Sequence, residues 1–117
     1  MFEKNGVTFF PRGGDYKDHP AFVALRSVSL GDVRFPWGFF LVNEGGKAYV
    51  LPATEQDHRR VLLQAFPDLP EEALGQSCGL HAEDHLHCGG SCRAGPEYDC
   101  VPHNHGSYYG CGCVIGI

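Results

Sequence analysis

The last third of the chain concentrates the residues that can bind metal ions or exchange thiols. All six cysteines and five of the seven histidines fall within 36 residues, from Cys78 to Cys113. The same stretch contains no Phe, Trp, Met or Lys, so it lacks the material for an ordinary apolar core. A segment of fewer than about 40 residues rarely folds unaided. This one must therefore be held by metal ions, held by disulfides, or left without fixed structure or modified.

Two Cys-x-x-His pairs carry the most specific signal, at Cys78 with His81 and at Cys100 with His103. Both donors of such a pair lie on one tight turn, so they can reach a single tetrahedral zinc ion. Further donors follow each pair, and we predict two closed Cys3His zinc sites of the structural type. The first would use Cys78, His81, Cys88 and Cys92, with His85 able to replace a cysteine. The second would use Cys100, His103, Cys111 and Cys113. An interleaved arrangement, with one pair from each half, fits the same spacing.

Zinc suits this donor set better than other metals do. Mixed thiolate and imidazole ligands favour tetrahedral zinc, whereas iron–sulfur clusters take mostly cysteine ligands. Two less favoured alternatives remain. One is a single iron–sulfur cluster, whose ligands would be Cys88, Cys92 and Cys100 with Cys111 or Cys113. The other is copper, because Cys111-Gly-Cys113 offers it two close soft donors.

The sequence favours a protein without an active site of its own. His81-Ala-Glu83 has the His-x-Glu order of zinc deaminases, but the Pro-Cys-x-x-Cys pair that those enzymes need downstream is missing. No third residue stands out to orient a Cys–His nucleophilic pair. Outside the cluster, His19 and His58 lie among charged neighbours, and we expect both to be solvated.

Charge and compartment narrow the class of protein further. The net charge is −5, and the stretch after position 77 has four acidic residues against one base, Arg93, so nucleic-acid binding is not expected. No apolar stretch approaches the ~20 residues of a membrane span. The first residues carry no basic segment followed by an apolar one, so no secretory signal is expected. We therefore expect a cytoplasmic protein whose thiols stay reduced, which favours metal ions over disulfides.

Residues 1–75 hold all eight Phe and the single Trp37, and they supply the elements that must position the cluster. Glycines between Phe39–Val42 and Ala48–Leu51 predict a β-hairpin. Thr54 as an N-cap, with Leu62 and Phe66 four residues apart, predicts an amphipathic helix from about Glu55 to Phe66. The other extended segments that we predict are Val7–Phe10, Ala21–Leu30 and Val33–Phe35.

The predicted fold class is α+β, in two parts. Residues 1–75 form a small antiparallel sheet with one amphipathic helix, and residues 76–117 form an irregular, metal-stabilised Cys/His-rich module. Removal of the metal is then expected to melt the second part and to leave the hairpin and the helix formed.

The function that we predict is a zinc-binding accessory or protein-interaction subunit, part of a larger complex, with structural metal sites. Trp37 is expected to lie in the core of the sheet or to act as a contact anchor, and Tyr108-Tyr109 to pack over the second metal site or to contact a partner. The apolar end Val114–Ile117 is expected to pack back on the domain or to dock into another subunit. Two alternatives stay open. One is a precursor or carrier protein whose Gly/Cys-rich end is modified or captures metal. The other is a small redox protein with an iron–sulfur or copper centre.

Overall fold

The computed structural model describes residues 2–10, 33–75, 78–82 and 86–115. Nine strands, one α-helix and one 3-10 helix lie in this part of the chain. The stretch 21–30, predicted as extended, lies outside it. The strands are β1 (Phe2–Lys4), β2 (Val7–Phe9), β3 (Val33–Phe35), β4 (Phe39–Glu44), β5 (Lys47–Pro52), β6 (Cys78–Ala82), β7 (Leu86–Gly90), β8 (Tyr98–His105) and β9 (Tyr108–Ile115). The helix α1 spans Glu55–Ala65, and the 3-10 helix spans Glu71–Leu74.

The strands form two antiparallel sheets. The larger sheet has six strands in the order β1-β2-β8-β9-β4-β5, and the smaller has three in the order β3-β6-β7. The hairpin β8–β9 lies between β2 and β4, so strands from both predicted parts of the chain share one sheet. The smaller sheet likewise pairs β3 with β6.

The fold has three layers with the six-stranded sheet in the middle. Side chains alternate between the two faces of a strand, so adjacent residues of β9 enter different cores. Tyr108 and Val114 pack with Val61 and Leu62 of α1, which covers one face of the sheet. Tyr109 packs with Phe39 and with Leu80 of the smaller sheet, which covers the other face. The central hairpin β8–β9 thus belongs to both cores.

The predicted α1 is confirmed, together with the residues that begin and end it. The Thr54 hydroxyl accepts a hydrogen bond from the Asp57 amide at 3.2 Å, and the Thr54 amide donates to the Asp57 carboxylate at 2.9 Å. This reciprocal capping box satisfies two amides that the first turn leaves unpaired. Pro67 follows the C-cap residue Phe66, where a further helical turn would need an amide that proline lacks.

The prediction of an irregular Cys/His-rich module is wrong for the described residues. Within 78–82 and 86–115 the structure has four strands, and β8 and β9 are the longest of the described strands at eight residues each. The reason lies in the alternation along β9, where cysteines and glycines occupy opposite faces. A side-chain carbon at Gly112 would lie 2.6 Å from Leu62 of α1, so the helix packs closely because that position is glycine.

Gly38 fixes the approach of β4 to β9, and Gly38→Ala is expected to lower the free energy of unfolding by about 3 kcal/mol. Its φ is +86°, and a side-chain carbon there would meet the Tyr109 carbonyl and lie 2.8 Å from the Tyr108 hydroxyl. Gly45→Ala is the matched control, because Gly45 also has a positive φ (+60°) but has open space around it. The control should cost about 1 kcal/mol. Equal losses for the two variants in urea unfolding would contradict the close approach.

Candidate functional site

The six cysteines form three disulfides, of which two join the two sheets and one joins Cys92, just after β7, to the larger sheet. The pairs are Cys78–Cys100, Cys88–Cys111 and Cys92–Cys113, with sequence separations of 22, 23 and 21 residues. Each bond connects the segment 78–92 to the hairpin β8–β9. The first cysteine therefore pairs with the fourth, the second with the fifth and the third with the sixth.

Strand alternation places the cysteines of β8 and β9 on one face. Cys111 and Cys113 are two residues apart, so both side chains point away from α1. Cys100 lies directly opposite Cys113 in the register of the two strands and shares that face. On the smaller sheet Cys88 lies opposite Leu80, which is buried in the core between the sheets.

Three sulfur atoms form a cluster at the seam, the region where Cys78, Cys88 and Cys92 meet the hairpin β8–β9. The Sγ atoms of Cys78, Cys92 and Cys113 all lie within 4.8 Å of one another. Cys113 is bonded to Cys92, whereas Cys78 belongs to the neighbouring bond with Cys100. Two disulfides are therefore adjacent. Their sulfur atoms come from β6, from the segment after β7, from β8 and from β9. We call these four residues, Cys78, Cys92, Cys100 and Cys113, the sulfur cluster.

The histidines predicted as zinc ligands do not join the sulfur cluster. His103 alternates with Pro102 on β8, so it lies on the α1 face of the sheet, opposite the cysteines. His81 follows buried Leu80 on β6, so its side chain lies on the opposite face of the smaller sheet. There it stacks on His87 of the neighbouring strand β7, with ring centroids 5.2 Å apart. Neither predicted Cys3His set is assembled, because each takes its imidazole from the face of a strand that points away from the cysteines. His85 lies outside the described residues.

His58 is buried, so the prediction that it is solvated is wrong. It is 1% exposed, and it lies three and four residues before Val61 and Leu62, on the face of α1 that packs on the sheet. Its charged sequence neighbours belong to the other faces of the helix. The His58 ring lies 5.4 Å from Trp37 and 6.2 Å from His103, between ring centroids.

Burial lowers the pKa of both histidines, so both imidazoles are neutral at pH 7. Burial, reinforced by the positive charge of Arg59, lowers the pKa of His58 from 6.5 to about 4. Burial and the neighbouring His58 lower the pKa of His103 to about 3, against an opposing hydrogen bond with the Val101 backbone. Neither ring nitrogen of His58 has a hydrogen-bond partner among the described residues. This histidine pair is the feature that sequence reasoning missed, although the helical spacing of His58 from Leu62 could have revealed it.

The aromatic residues predicted as metal-packing or contact groups mostly serve the two cores. The Tyr108 hydroxyl donates to the Trp37 carbonyl at 2.7 Å, and burial raises the pKa of Tyr108. Tyr109 stacks on Phe39 in the cysteine-side core, with ring centroids 5.5 Å apart. At the predicted apolar end Val114 is buried and Ile115 is 49% exposed.

Comparisons with known proteins identify no relative. No protein-family model, no curated protein and no solved structure matches this chain. Within the described residues, no helix is both long enough and apolar enough to cross a membrane.

Proposed function

We propose that this chain is an accessory protein whose sulfur cluster binds one zinc ion when its two disulfides are reduced. The observation that carries the proposal is that the Sγ atoms of Cys78, Cys92 and Cys113 all lie within 4.8 Å of one another. In a tetrahedral zinc–thiolate site with Zn–S bonds of about 2.3 Å, the sulfurs lie about 3.8 Å apart. A small relaxation after reduction would bring three thiolates to that spacing, with Cys100 beside them as the fourth ligand.

One four-thiolate site takes the place of the two mixed Cys3His sites that the sequence predicts. His81 and His103 lie on other faces, so the ligands are sulfur atoms alone, which zinc accepts readily. The third disulfide, Cys88–Cys111, stays outside the cluster and can hold the two sheets together while the other two bonds are open. Zinc then takes over the role of the two opened bonds, and the module keeps its shape in both redox states.

The accessory role rests on the surface of β5. This strand lies at one edge of the six-stranded sheet and exposes Tyr49 and Leu51, which are 37% and 48% accessible.

A zinc titration of the reduced protein tests the proposed function. The phosphine reductant tris(carboxyethyl)phosphine gives two electrons to each disulfide and takes an oxygen atom from water, whose protons complete the two thiols. Zinc binding then releases the protons of the thiols to the solvent. We expect one tightly bound ion per chain in competition with a fluorescent zinc indicator, and a tetrathiolate spectrum when cobalt(II) replaces zinc.

Two matched double variants identify the ligands. Cys78→Ser with Cys92→Ser removes two members of the sulfur cluster and should weaken zinc binding at least about a hundredfold. Cys88→Ser with Cys111→Ser removes the third disulfide and should leave a stoichiometry of one. Two ions per wild-type chain, or equal losses in the two variants, would overturn the assignment.

A further inference from the structure

A cleft gives solvent access to one sulfur-bearing residue of each disulfide. It has a volume of about 450 Å³, and the cysteines that line it are Cys88, Cys92 and Cys100. These three are only partly buried. Their bonded partners, Cys111, Cys113 and Cys78, are each 1% exposed. Every disulfide thus has one half in the cleft and one half in the core.

We propose that this cleft is a site of thiol–disulfide exchange, at which a small thiol attacks the cleft-side sulfur and releases the buried cysteine. Two of the cysteines that line the cleft, Cys92 and Cys100, also belong to the sulfur cluster. The cleft itself does not depend on the proposed function; only the effect of zinc described below rests on it.

The exchange proceeds in two balanced steps. A thiolate of the small thiol attacks the sulfur of Cys92, for example, forming a mixed disulfide with it and breaking the bond to Cys113, which leaves as a thiolate and takes a proton from solvent. The thiolate of a second small thiol then attacks the sulfur of the small thiol in the mixed disulfide. Cys92 leaves as a thiolate and takes a proton from solvent. One protein disulfide is reduced, and two small thiols are oxidised to their disulfide.

Access and leaving-group stability act in opposite directions at these bonds. The cysteine that is attacked lines the cleft and is only partly buried, which favours exchange on that side. The other cysteine leaves into an apolar core, where a thiolate forms less readily, and this slows the step. Cys78 and Cys113 are the leaving groups of the two bonds in the sulfur cluster. Zinc would stabilise their thiolates, so zinc should accelerate the reduction of these two bonds.

Mapping of mixed disulfides tests the direction of attack. The full-length oxidised chain is treated briefly with glutathione in the presence of a metal chelator, quenched with acid and alkylated with N-ethylmaleimide. Peptide mass spectrometry should find glutathione on Cys88, Cys92 and Cys100 and maleimide on their partners, with a bias of at least about tenfold. An even distribution, or glutathione on the buried cysteines, would overturn the inference.

A cleft-filling variant separates access from intrinsic reactivity. Ser91 lines the cleft and is exposed, so Ser91→Tyr should slow glutathione addition about tenfold because the ring covers the attacked sulfurs. Ser107→Tyr is the control, since Ser107 is also exposed but lies at the β8–β9 turn. The same rate in all three proteins would also overturn the inference.

The same glutathione mapping, repeated with zinc in place of the chelator, tests the exchange cleft and the zinc site independently. A biased map whose rate does not respond to zinc supports the exchange cleft and counts against zinc binding by the sulfur cluster. One zinc ion per reduced chain together with an unbiased map supports the proposed function and overturns the proposal that the cleft is a site of thiol–disulfide exchange.

Discussion

Reduction of all three disulfides in a chelator is expected to lower the free energy of unfolding by roughly 6 to 9 kcal/mol. Each bond closes a loop with a sequence separation of 21 to 23 residues. Opening one such loop costs about 3 kcal/mol in chain entropy, and the three loops overlap, so their sum is an upper bound. Small domains are stable by about 5–15 kcal/mol, so the reduced, metal-free chain should be close to unfolding.

The loss should extend to the whole molecule. The sequence predicted that the hairpin β4–β5 and α1 would survive melting of the Cys-rich part. The structure places β8 and β9 at the centre of the six-stranded sheet, against α1 on one face. We therefore expect one cooperative urea transition, followed by circular dichroism, that moves to lower urea on reduction.

Two measurements control this prediction. Cys88→Ser with Cys111→Ser should lose about 3 kcal/mol without reductant, which calibrates one bond. Zinc added to the reduced wild type should recover most of the loss from the two bonds of the sulfur cluster, because a metal that binds only the folded chain stabilises it. A loss below about 2 kcal/mol on full reduction would mean that apolar packing, and not these bonds, joins the sheets.

Local signals explain which elements could be predicted. The β4–β5 hairpin follows from Gly45 and Gly46, both with positive φ, and α1 follows from the Thr54 cap and from Pro67. These signals act over a few residues, so sequence alone carries them. The charged neighbours of His58 favour a solvated side chain, whereas its spacing of four residues from Leu62 places it on the buried face of α1.

The arrangement of the Cys-rich half depends on contacts that sequence spacing does not encode. Cys-x-x-His suggests a tight turn, but Cys78 and His81 lie on one extended strand and face opposite sides of the smaller sheet. The register of β6 with β7 and of β8 with β9 decides which sulfurs meet, and six cysteines allow many pairings. The high glycine content after position 75 predicted irregular structure, although Gly110 and Gly112 serve close packing in β9.

The hairpin β8–β9 therefore combines two chemistries on its two faces. One face carries Cys100, Cys111 and Cys113 in disulfide bonds, and the other carries His103 against His58 of α1. Since both faces belong to the same two strands, a change in either the redox state or the pH acts on the same structural element.

Acidification from pH 7.5 to pH 5 is expected to lower the free energy of unfolding by about 4 kcal/mol through the two buried histidines. In the unfolded chain both have a pKa near 6.5, whereas in the folded protein burial lowers the pKa to about 4 for His58 and about 3 for His103. Below about pH 6.5 the unfolded chain therefore binds protons that the folded protein excludes, and stability falls as the pH falls. Each histidine contributes about 2 kcal/mol at pH 5.

Urea unfolding of the oxidised protein at the two pH values measures this loss, and two variants on the same face of α1 assign it. His58→Leu removes one titrating group and the repulsion that it exerts on His103, so it should abolish at least half of the fall in stability. Val61→Ala removes buried volume without changing a titrating group. It should lower stability by a similar amount at both pH values, on the order of 2 kcal/mol. A wild-type stability that stays level between the two pH values would show that the buried imidazoles accept protons without unfolding, for which the core would have to admit water or an anion beside them.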